Sequence, residues 1–438
     1  MHRFAPLALV IALVPVVTRA QWTTGGLFSS SIHFQACAFH TVDSGLFVYG
    51  ANNPGPSPSA TEGGLLLTDN GAQSGGYYVW YEPSTNLEDI HVKVTGGRPL
   101  YMAAGHELYD RSIVVRPYLF PAYPIGFDSV RTGTGRYYRA IRMRDDLVAF
   151  TGGGDALGNG IIDISTDTGA TWSNVAVLPG QPVSRLHFVN DQLAFAATGG
   201  YRRTINNGVL LPDSGAIYRS TAGGLTWQQV HADATAGFSA VAFSSSTTGV
   251  ATRNDGTILR TTDGGSTWAP AVNNHAGTYI LTGATFRGDG AGFVTGYRTD
   301  GSAGYILFSD DGGATWDLNY STATLNSARR LYDVHFYDTA HGYAMGHMRP
   351  LRSNGLITAV EEEPMEGFSL FPVPADDLVT VVVGGPAEVL VRDAQGRVMR
   401  RAATLDRALI PLDGLAAGLY VAEVRQGGSV RRQPFLRQ

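Results

Sequence analysis

Carboxylates beside paired glycines are the first residues of this sequence that could carry chemistry. Asp310 and Asp311 precede Gly312-Gly313 in the segment ILFSDDGGATW, residues 306 to 316. Adjacent acids in a glycine-rich loop suit three roles: ligands of a cation, half of a catalytic acid pair, or acceptors for the amides of a tight turn. The neighbouring sequence decides between these roles.

The segment is the fourth copy of a repeat. The earlier copies are ISTDTGATW, ending at Trp172, YRSTAGGLTW, ending at Trp227, and LRTTDGGSTW, ending at Trp268; the fourth ends at Trp316. The shared pattern is Ser/Thr-x-Asp-x-Gly-x-Thr-Trp, in which Ala222 replaces the aspartate of the second copy. Successive tryptophans are 55, 41 and 48 residues apart, close to the length of one four-stranded propeller blade.

A turn role explains this pattern best. Aspartate and Ser/Thr side chains bond nearby turn amides, glycine takes a positive φ, and tryptophan buries its ring between sheets. A calcium loop needs a ladder of oxygen ligands and a bidentate acid further on, which the motif lacks. We therefore predict no metal and no other cofactor, and we predict a structural role for Asp167, Trp172, Trp227, Asp263, Trp268, Asp311 and Trp316.

A second motif precedes the turns and divides the chain into units. Phe39, Phe243, Phe286 and Phe336 are each followed six residues later by glycine. The two motifs together mark units near residues 33–88, 89–130, 138–177, 184–230, 238–271, 282–318 and 331–360. The last unit ends early, and an open sheet edge is a liability, so the stretch from Gln21 is the candidate for its outer strand. We predict an all-β, seven-bladed β-propeller, with six or eight blades as alternatives.

The repeat resembles a known motif. Ser/Thr-x-Asp-x-Gly-x-Thr-Trp is similar to the Asp-box, or bacterial neuraminidase repeat, of sialidases, some glycanases, sortilin-type receptors and photosystem II assembly-factor propellers. The Phe-x5-Gly-aromatic unit resembles most closely the last group and related secreted repeat proteins. The resemblance implies that the box is a hairpin turn between the outer two strands of a blade, remote from any active site.

The two ends of the chain differ from the repeats. Met1-His2-Arg3, an apolar stretch and Thr18-Arg19-Ala20 form the pattern of a secretory signal peptide over 1–20. No later run is long and apolar enough for a membrane-spanning helix. The propeller is predicted over 21–360, a charged, proline-interrupted linker over 361–367, and a small Ig-like β-sandwich over 368–438.

The sandwich carries three motifs in order. They are Phe371-Pro372-x-Pro374-Ala375, Asp393-x-x-Gly396-Arg397-Val398 and Leu412-x-x-Leu415-x-x-Gly418-Leu419-Tyr420-Val421. They resemble the type A C-terminal sorting domain of the type IX secretion system, although Val373 stands where asparagine is usual. The resemblance implies a bacterium of the Bacteroidota, export through the periplasm by that machinery, and a secreted or outer-membrane-attached product. A generic adhesion-like sandwich is the alternative.

The search for catalytic residues finds none to predict. Sialidases resemble one another in an early Phe/Tyr-Arg-Ile/Leu-Pro motif that this sequence lacks, and no acidic pair is singled out by its context. His106-Glu107 begins like a zincin motif but has no second histidine at the required turn. A formal net charge of −5 gives no electrostatic footprint for nucleic acid. A non-catalytic propeller is the prediction, and a sialidase-like or glycanase-like glycosidase is the alternative.

Long loops between the second and third strands of the units predict a binding face opposite the Asp turns. The residues that begin these loops or hold the matching place are Tyr201, Arg202, Arg253, Tyr297, Arg298, His347 and Arg349. Arginine and tyrosine are favoured at binding hot spots, and a planar guanidinium suits carboxylates or anionic sugars. We predict a glycan or protein ligand for this face; a solvated rim is the alternative.

Overall fold

The computed structural model describes eighteen stretches of the chain. They are residues 22–24, 33–50, 62–73, 77–107, 110–119, 125–200, 202–203, 209–210, 214–275, 279–322, 330–346, 350–353, 368–371, 377–383, 385–393, 397–405, 407–426 and 429–437. The predicted signal peptide and linker lie outside them. The described residues form strands and turns without a helix, so none of them belongs to a helix that could cross a membrane. The all-β fold class is confirmed.

The chain divides into two compact units, Met1–Leu356 and Ile357–Gln438. In the described part of the first unit, the strands fall into seven antiparallel groups of four, numbered here along the chain. A single pair, Gly50 with Asn86, joins groups 1 and 2 into one eight-stranded sheet. Group 1 contains His33–Phe39, Gly45–Gly50, Glu62–Thr68 and Tyr77–Pro83; group 2 contains Thr85–Thr95, Arg98–Glu107, Arg111–Leu119 and Ile125–Thr134; group 3 contains Arg136–Met143, Ala149–Asp155, Gly160–Ser165 and Ser173–Leu178.

The later groups follow the same order. Group 4 contains Val183–Phe188, Ala194–Thr198, Gly215–Ser220 and Gln228–Asp233, with a ribbon of Arg202–Arg203 and Val209–Leu210 between its second and third strands; group 5 contains Phe238–Phe243, Gly249–Arg253, Ile258–Thr261 and Ala269–Pro270; group 6 contains Tyr279–Phe286, Gly292–Arg298, Gly304–Ser309 and Thr315–Ser321; group 7 contains Leu331–Phe336, Gly342–Gly346, Leu351–Ser353 and Trp22–Thr24. Val272–Asn273 adds a short parallel strand to group 6.

The first strands of the groups close a ring. Strand 1 of each group lies beside strand 1 of the next, and strand 1 of group 7 lies beside strand 1 of group 1. The ring axis is the line that these seven strands surround. The number of groups among the described residues equals the predicted number of blades, and the count for the whole chain stays a prediction. Group 2 begins at Thr85, four residues before the predicted unit at 89. The sequence does not show this boundary because the long strands of the group carry neither motif.

The ring is closed by a strand from the other end of the unit. Trp22 pairs with Ser353 and Thr24 pairs with Leu351 in an antiparallel register. The Trp22 ring is buried against Phe293 and Phe336 at centroid distances of 6.2 and 5.8 Å. This contact confirms the prediction that the stretch after Gln21 supplies the outer strand of the last unit, and it leaves the third strand of group 7 without an open edge.

Every first strand carries a β-bulge at the same level. The extra residues, one for each group in order, are Gln35, Glu88, Arg139, Ser184, Ser239, Thr282 and Tyr332. A bulge bends its strand and redirects neighbouring side chains. The seven bulges therefore place a matched set of residues near the beginning of the strands around the axis.

The second unit consists of two sheets that share one core. Phe368–Phe371, Leu378–Val383 and Arg407–Pro411 form one sheet; Val398–Thr404, Ala387–Asp393, Gly418–Gln426 and Ser429–Arg437 form the other. Val381 and Ile410 of the first sheet are buried in the same cluster as Val391 and Val424 of the second. The two packed sheets make a small sandwich, while its Ig-like character stays a prediction.

Candidate functional site

The Asp turns are closed by hydrogen bonds within each repeat. Asp167 accepts bonds from the Ser165 hydroxyl at 2.8 Å and from the Thr171 amide and hydroxyl at 2.8 and 2.7 Å. These bonds, led by that from the Thr171 hydroxyl, lower the pKa of Asp167 to about 2. Gly169 takes a φ of 78°, and its carbonyl accepts a bond from the Trp172 indole at 3.0 Å. This carboxylate is engaged in holding its own turn.

The other copies repeat the arrangement. Asp263 and Asp311 each accept bonds from the hydroxyl two residues before and from the amide and hydroxyl of the threonine four residues after. In the second copy, where Ala222 supplies no carboxylate, the Gly224 amide still donates to the Ser220 hydroxyl at 2.9 Å. The turn therefore forms without its aspartate. Trp316 is fully buried, whereas Trp172, Trp227 and Trp268 are half-buried.

The turns define one end of the ring. The amides of Thr168, Gly223 and Gly264 donate to carbonyls of Leu147, Gln192 and Thr247, which lie between the first two strands of the same groups, at 2.9 Å each. We call this end the turn face. The connections between second and third strands, and between successive groups, lie at the opposite end, which we call the loop face.

An ion-pair network crosses the ring axis between the two faces. Arg142 of group 3 contacts Asp89 of group 2 at 2.5 Å. Arg185 of group 4 contacts Asp89 at 3.5 Å and Asp333 of group 7 at 3.1 Å. Asp89 also accepts a bond from the Ile141 amide at 3.0 Å and is only 1% exposed. We call Asp89, Arg142, Arg185 and Asp333 the axial network.

The carboxylates of this network balance its arginines. Burial raises the pKa of Asp333, with Arg185 opposing and Asp89 reinforcing the effect. Losing one member of a buried ion pair leaves an unbalanced charge at a cost of about 3–5 kcal/mol. The Arg142 and Arg185 guanidinium groups are thus engaged by carboxylates of the protein itself, where a sialidase-like site would hold such groups for the carboxylate of a substrate.

Histidines beside the network connect neighbouring groups. His91 Nδ1 accepts a bond from the Met143 amide of group 3, and His187 Nε2 accepts one from the Phe243 amide of group 5, both at 3.3 Å. Burial, followed by the charge of Arg142, lowers the pKa of His91 to about 3 and those of His187 and His335 to about 4. These side chains keep some solvent contact. Because their pKa values lie well below 6.5, the neutral imidazole is the stable form near pH 7.

The predicted loop-face residues whose side chains are described, Arg253, Tyr297 and Arg298, differ in burial and in their partners. Arg253 contacts Asp233 and Asp255 at 3.1 Å each, so carboxylates of its own surroundings balance its charge. Arg298 is exposed and contacts Asp300 at 3.3 Å. Tyr297 is 1% exposed, with its ring 6.2 Å from that of Tyr332.

The burial of Tyr297 corrects its predicted place on the binding face. Successive residues of a strand point to opposite sides, so Arg298 faces solvent while Tyr297 joins the core. Arg202 belongs to the short strand Arg202–Arg203, and Tyr201, His347 and Arg349 lie outside the described residues. Their predicted ligand contacts stay predictions.

A cleft between groups 3 and 4 opens on the loop face. Its volume is about 370 Å³, and Arg139, Asp155 and Gln181 line it together with glycines that include Gly158 and Gly180. Asp155 accepts bonds from the amides of Leu157 and Asn159 and so caps its own turn. Arg139 is the bulge residue of group 3 and is half-buried. We call this site the loop-face cleft.

Sequence reasoning missed Arg139 and the axial network. Arg139, Asp89 and Arg185 are charged residues that each stand next to a buried apolar residue in a first strand, which is the signal that could have drawn attention to them. Asp89 and Arg142 are 53 residues apart, and Arg185 and Asp333 are 148 residues apart. No local motif connects residues at such separations, so the pairing depends on closure of the ring.

Comparisons with known proteins agree with this architecture. Comparison with protein-family models and with curated proteins finds no match to the chain. Among solved structures, YCF48 bound to D1 peptide matches with a TM-score of 0.52 and 15% identity over 78% of this chain and 97% of that chain. YCF48 from Cyanidioschyzon merolae matches with a TM-score of 0.50 and 14% identity over 76% of this chain and 99% of that chain.

The first unit is a β-propeller. The YCF48 structures match the greater part of the chain, in agreement with the closed ring of four-stranded groups. At this level of identity the similarity establishes the fold. The ligand and the role of the propeller have to be argued from its own residues.

Proposed function

We propose that the propeller is a non-catalytic binding module that holds a segment of a partner protein in the loop-face cleft. The observation that carries the proposal is the cleft itself, which combines a guanidinium with glycine-rich walls on the face of long loops. The similar structure of YCF48 bound to D1 peptide supports a protein partner for a propeller of this shape. The neutralised arginines of the axial network favour binding over glycoside hydrolysis.

The cleft has the chemistry of a peptide site. Glycines lack a side chain, and an added Cβ at Gly158 or Gly180 would meet no atom within 4 Å, so a bound backbone can approach the chain closely there. Arg139 offers a charged donor suited to a carboxylate of the partner, either an acidic side chain or a chain end. A volume of about 370 Å³ lies in the usual range of ligand pockets.

The test is selection of peptides from a random display library on the immobilised protein, followed by calorimetric affinity measurements. We expect Arg139→Gln to weaken the selected acidic peptides about tenfold or more, the usual effect of losing a charged hydrogen bond. The matched control is Arg298→Gln, which removes an exposed loop-face guanidinium outside the cleft. Equal losses in both variants, or no acidic peptide selected, would refute the proposal. If the protein binds glycans on an array and this binding depends on Arg139, the ligand of the cleft is a sugar and not a peptide. Hydrolysis of fluorogenic glycosides would favour the glycosidase alternative.

We also propose that the protein is exported through the periplasm by the type IX secretion machinery and is secreted or held on the outer-membrane surface. Support comes from the motif residues that the second unit uses to build its sandwich. Asp393 binds the Arg397 amide at 2.9 Å and its guanidinium at 2.6 Å, while Leu412 and Leu415 are buried. A folded tail with these residues in place suits a sorting signal.

Export is tested by fractionating a Bacteroidota host that expresses the full chain and by sequencing both ends of the mature protein. We expect a mature start at Gln21, a surface or medium location, and removal of the tail. A chain without residues 368–438 should accumulate in the periplasm. Equal export of the two chains would rule out the sorting role while leaving the binding proposal untouched.

A further inference from the structure

A second cavity lies at the end of the ring axis opposite the loop-face cleft. Its volume is about 270 Å³, and its wall includes His91, Arg142, Met143, Arg144, His187 and Phe188. Arg144 donates to the carbonyl of Gly223 at 3.2 Å, and Gly223 belongs to the turn of the second repeat. The cavity therefore opens on the turn face, and we call it the turn-face cavity.

The inner wall of this cavity presents hydrogen-bond donors. A neutral imidazole has one donor nitrogen and one acceptor nitrogen. His91 uses Nδ1 to accept the Met143 amide, so its Nε2 carries the hydrogen. His187 uses Nε2 to accept the Phe243 amide, so its Nδ1 carries the hydrogen. The backbone contacts of both rings thus leave one N–H of each ring to serve as a donor.

The charged groups around the two rings favour an anion. Arg142 contributes the charge that helps to lower the pKa of both histidines, and Lys93 and His335 add to it at His91. Asp89 and Asp333 lie behind the wall and engage Arg142 and Arg185.

The remaining charges lie near the mouth. Asp145 contacts Arg144 at 3.3 Å, and Lys93 donates to the Arg144 carbonyl at 2.5 Å. The carboxylate that lines the cavity is that of Asp191, which is exposed at the rim. The inner wall is therefore rich in donors, while Met143 and Phe188 supply apolar surface beside it.

We propose that the turn-face cavity binds a small organic carboxylate, with its charged end against the N–H groups of His91 and His187 and its apolar part on Met143 and Phe188. The imidazole N–H groups suit carboxylate oxygens, and hydrogen bonds to an ionised acceptor are among the strong ones. The site is separated from the loop-face cleft by the axial network, so it does not depend on the proposed peptide binding.

Binding in this cavity is coupled to protonation of the histidines. A bound anion opposes the effect of Arg142 and so raises the pKa of His91 and His187 toward the ordinary value of about 6.5. Between the pKa values of the free and the bound state, binding takes up protons, and affinity rises as the pH falls.

The test is calorimetric titration of the full chain with benzoate and with benzamide, its neutral counterpart. We expect saturable binding of benzoate at one site and no binding of benzamide. His91→Asn and His187→Gln keep an acceptor for the backbone amide and remove the ring nitrogen that carries the hydrogen. Because the carboxamide NH2 lies at a different position, each variant should bind benzoate about tenfold more weakly. Arg98→Gln is the control: this exposed arginine lies at the turn-face end of group 2, does not line the cavity, and its variant should bind like the parent.

A second measurement separates a structural effect from a binding effect. Benzenesulfonate stays ionised at all working pH values, so a change of its affinity with pH reports the protein's own groups. Its affinity should rise between pH 7 and pH 5 in the parent, and much less in the double variant His91→Asn/His187→Gln. Thermal unfolding reports whether the variants remain folded. Absence of benzoate binding, equal binding of benzamide, or full affinity in both folded variants would overturn the proposal.

Discussion

The Asp turns and the axial network both depend on aspartates, and they use them in opposite ways. Asp167 and Asp263 are exposed, and bonds from a threonine four residues later lower their pKa values to about 2. Asp333 is deep in the ring, its pKa is raised by burial, and its arginine partner comes from another group. The turn carboxylates stabilise one hairpin each, while the axial carboxylates connect groups that are far apart in the chain.

This difference predicts which carboxylates contribute most to the stability of the fold. A turn that loses its aspartate retains the bond between its first hydroxyl and its glycine amide, as the copy with Ala222 shows. An arginine that loses its partner at the axis has little solvent to compensate for it, since the side chains of Arg142 and Arg185 are only 20% and 12% exposed. Removal of an axial carboxylate should therefore destabilise the protein more than removal of a turn carboxylate.

Asp89→Asn should be the most destabilising change. It leaves Arg142 and Arg185 without their shared carboxylate, and we expect the free energy of unfolding to fall by about 3–5 kcal/mol. Urea denaturation followed by tryptophan fluorescence measures the loss. The double variant Asp89→Asn/Arg142→Gln should lose less than the sum of its single changes; strict additivity would show that the pair is not coupled.

Acid should destabilise the axis before it affects the turns. The pKa values of His91, His187 and His335, about 3, 4 and 4, lie below the ordinary 6.5 of an unfolded chain. The unfolded state therefore binds more protons below pH 6.5, and stability falls as the pH drops from there toward 4. Asp333, with its raised pKa, opposes this trend.

The turn carboxylates should respond in a lower pH range. Their lowered pKa values stabilise the folded state above pH 3.8, and this contribution is lost as the pH falls toward 2. Thermal melts across pH 7 to 3 should therefore show a decline that begins above pH 5. His187→Gln should reduce the slope in that upper range, and an unchanged slope would contradict the assignment to the axis.

Asp311→Ala should have an intermediate effect. The change removes bonds to the Ser309 hydroxyl and to the amide and hydroxyl of Thr315, and we expect a loss of about 1–2 kcal/mol. Urea denaturation under the conditions used for Asp89→Asn gives the comparison. A loss equal to that of Asp89→Asn would break the distinction between local and axial carboxylates.

Ala222→Asp should have the smallest effect and the opposite sign. It restores the missing acceptor opposite Thr226 in a turn whose hydroxyl–amide bond already exists. We expect a gain of about 0.5–1 kcal/mol, measured as a rise in the denaturation midpoint. Ala222→Asn is the matched control, because it adds an acceptor without the charge, and it should give a smaller gain.

The sequence predicts those parts of the fold that depend on bonds between residues close together in the chain. The repeat ending at Trp172, Trp227, Trp268 and Trp316 marks turns in which Ser/Thr side chains, and aspartate where it is present, accept bonds from turn amides as predicted. The start of group 2 was placed four residues late because no turn motif marks it. Tyr297 was placed on the wrong side of its strand because a loop boundary does not show which residues face the core.

The candidate sites were harder to predict. Arg298 is exposed, and its contact with a ligand stays a prediction. Nothing in the sequence around Arg139 marks that residue, because its place depends on the bulge and the cleft. His91 and His187 were not linked either, because each accepts an amide from a strand of the following group. Such contacts depend on how neighbouring groups pack.

The sequence by itself determined the all-β class, the hairpin turns and the strand that closes the ring, because each follows from bonds between near neighbours or from an edge that must be covered. The tertiary structure alone decided the axial network and the two cavities. Residues such as Arg185 and Asp333, 148 positions apart, meet only when the ring has closed, since burial of their charges requires the partner to be in place.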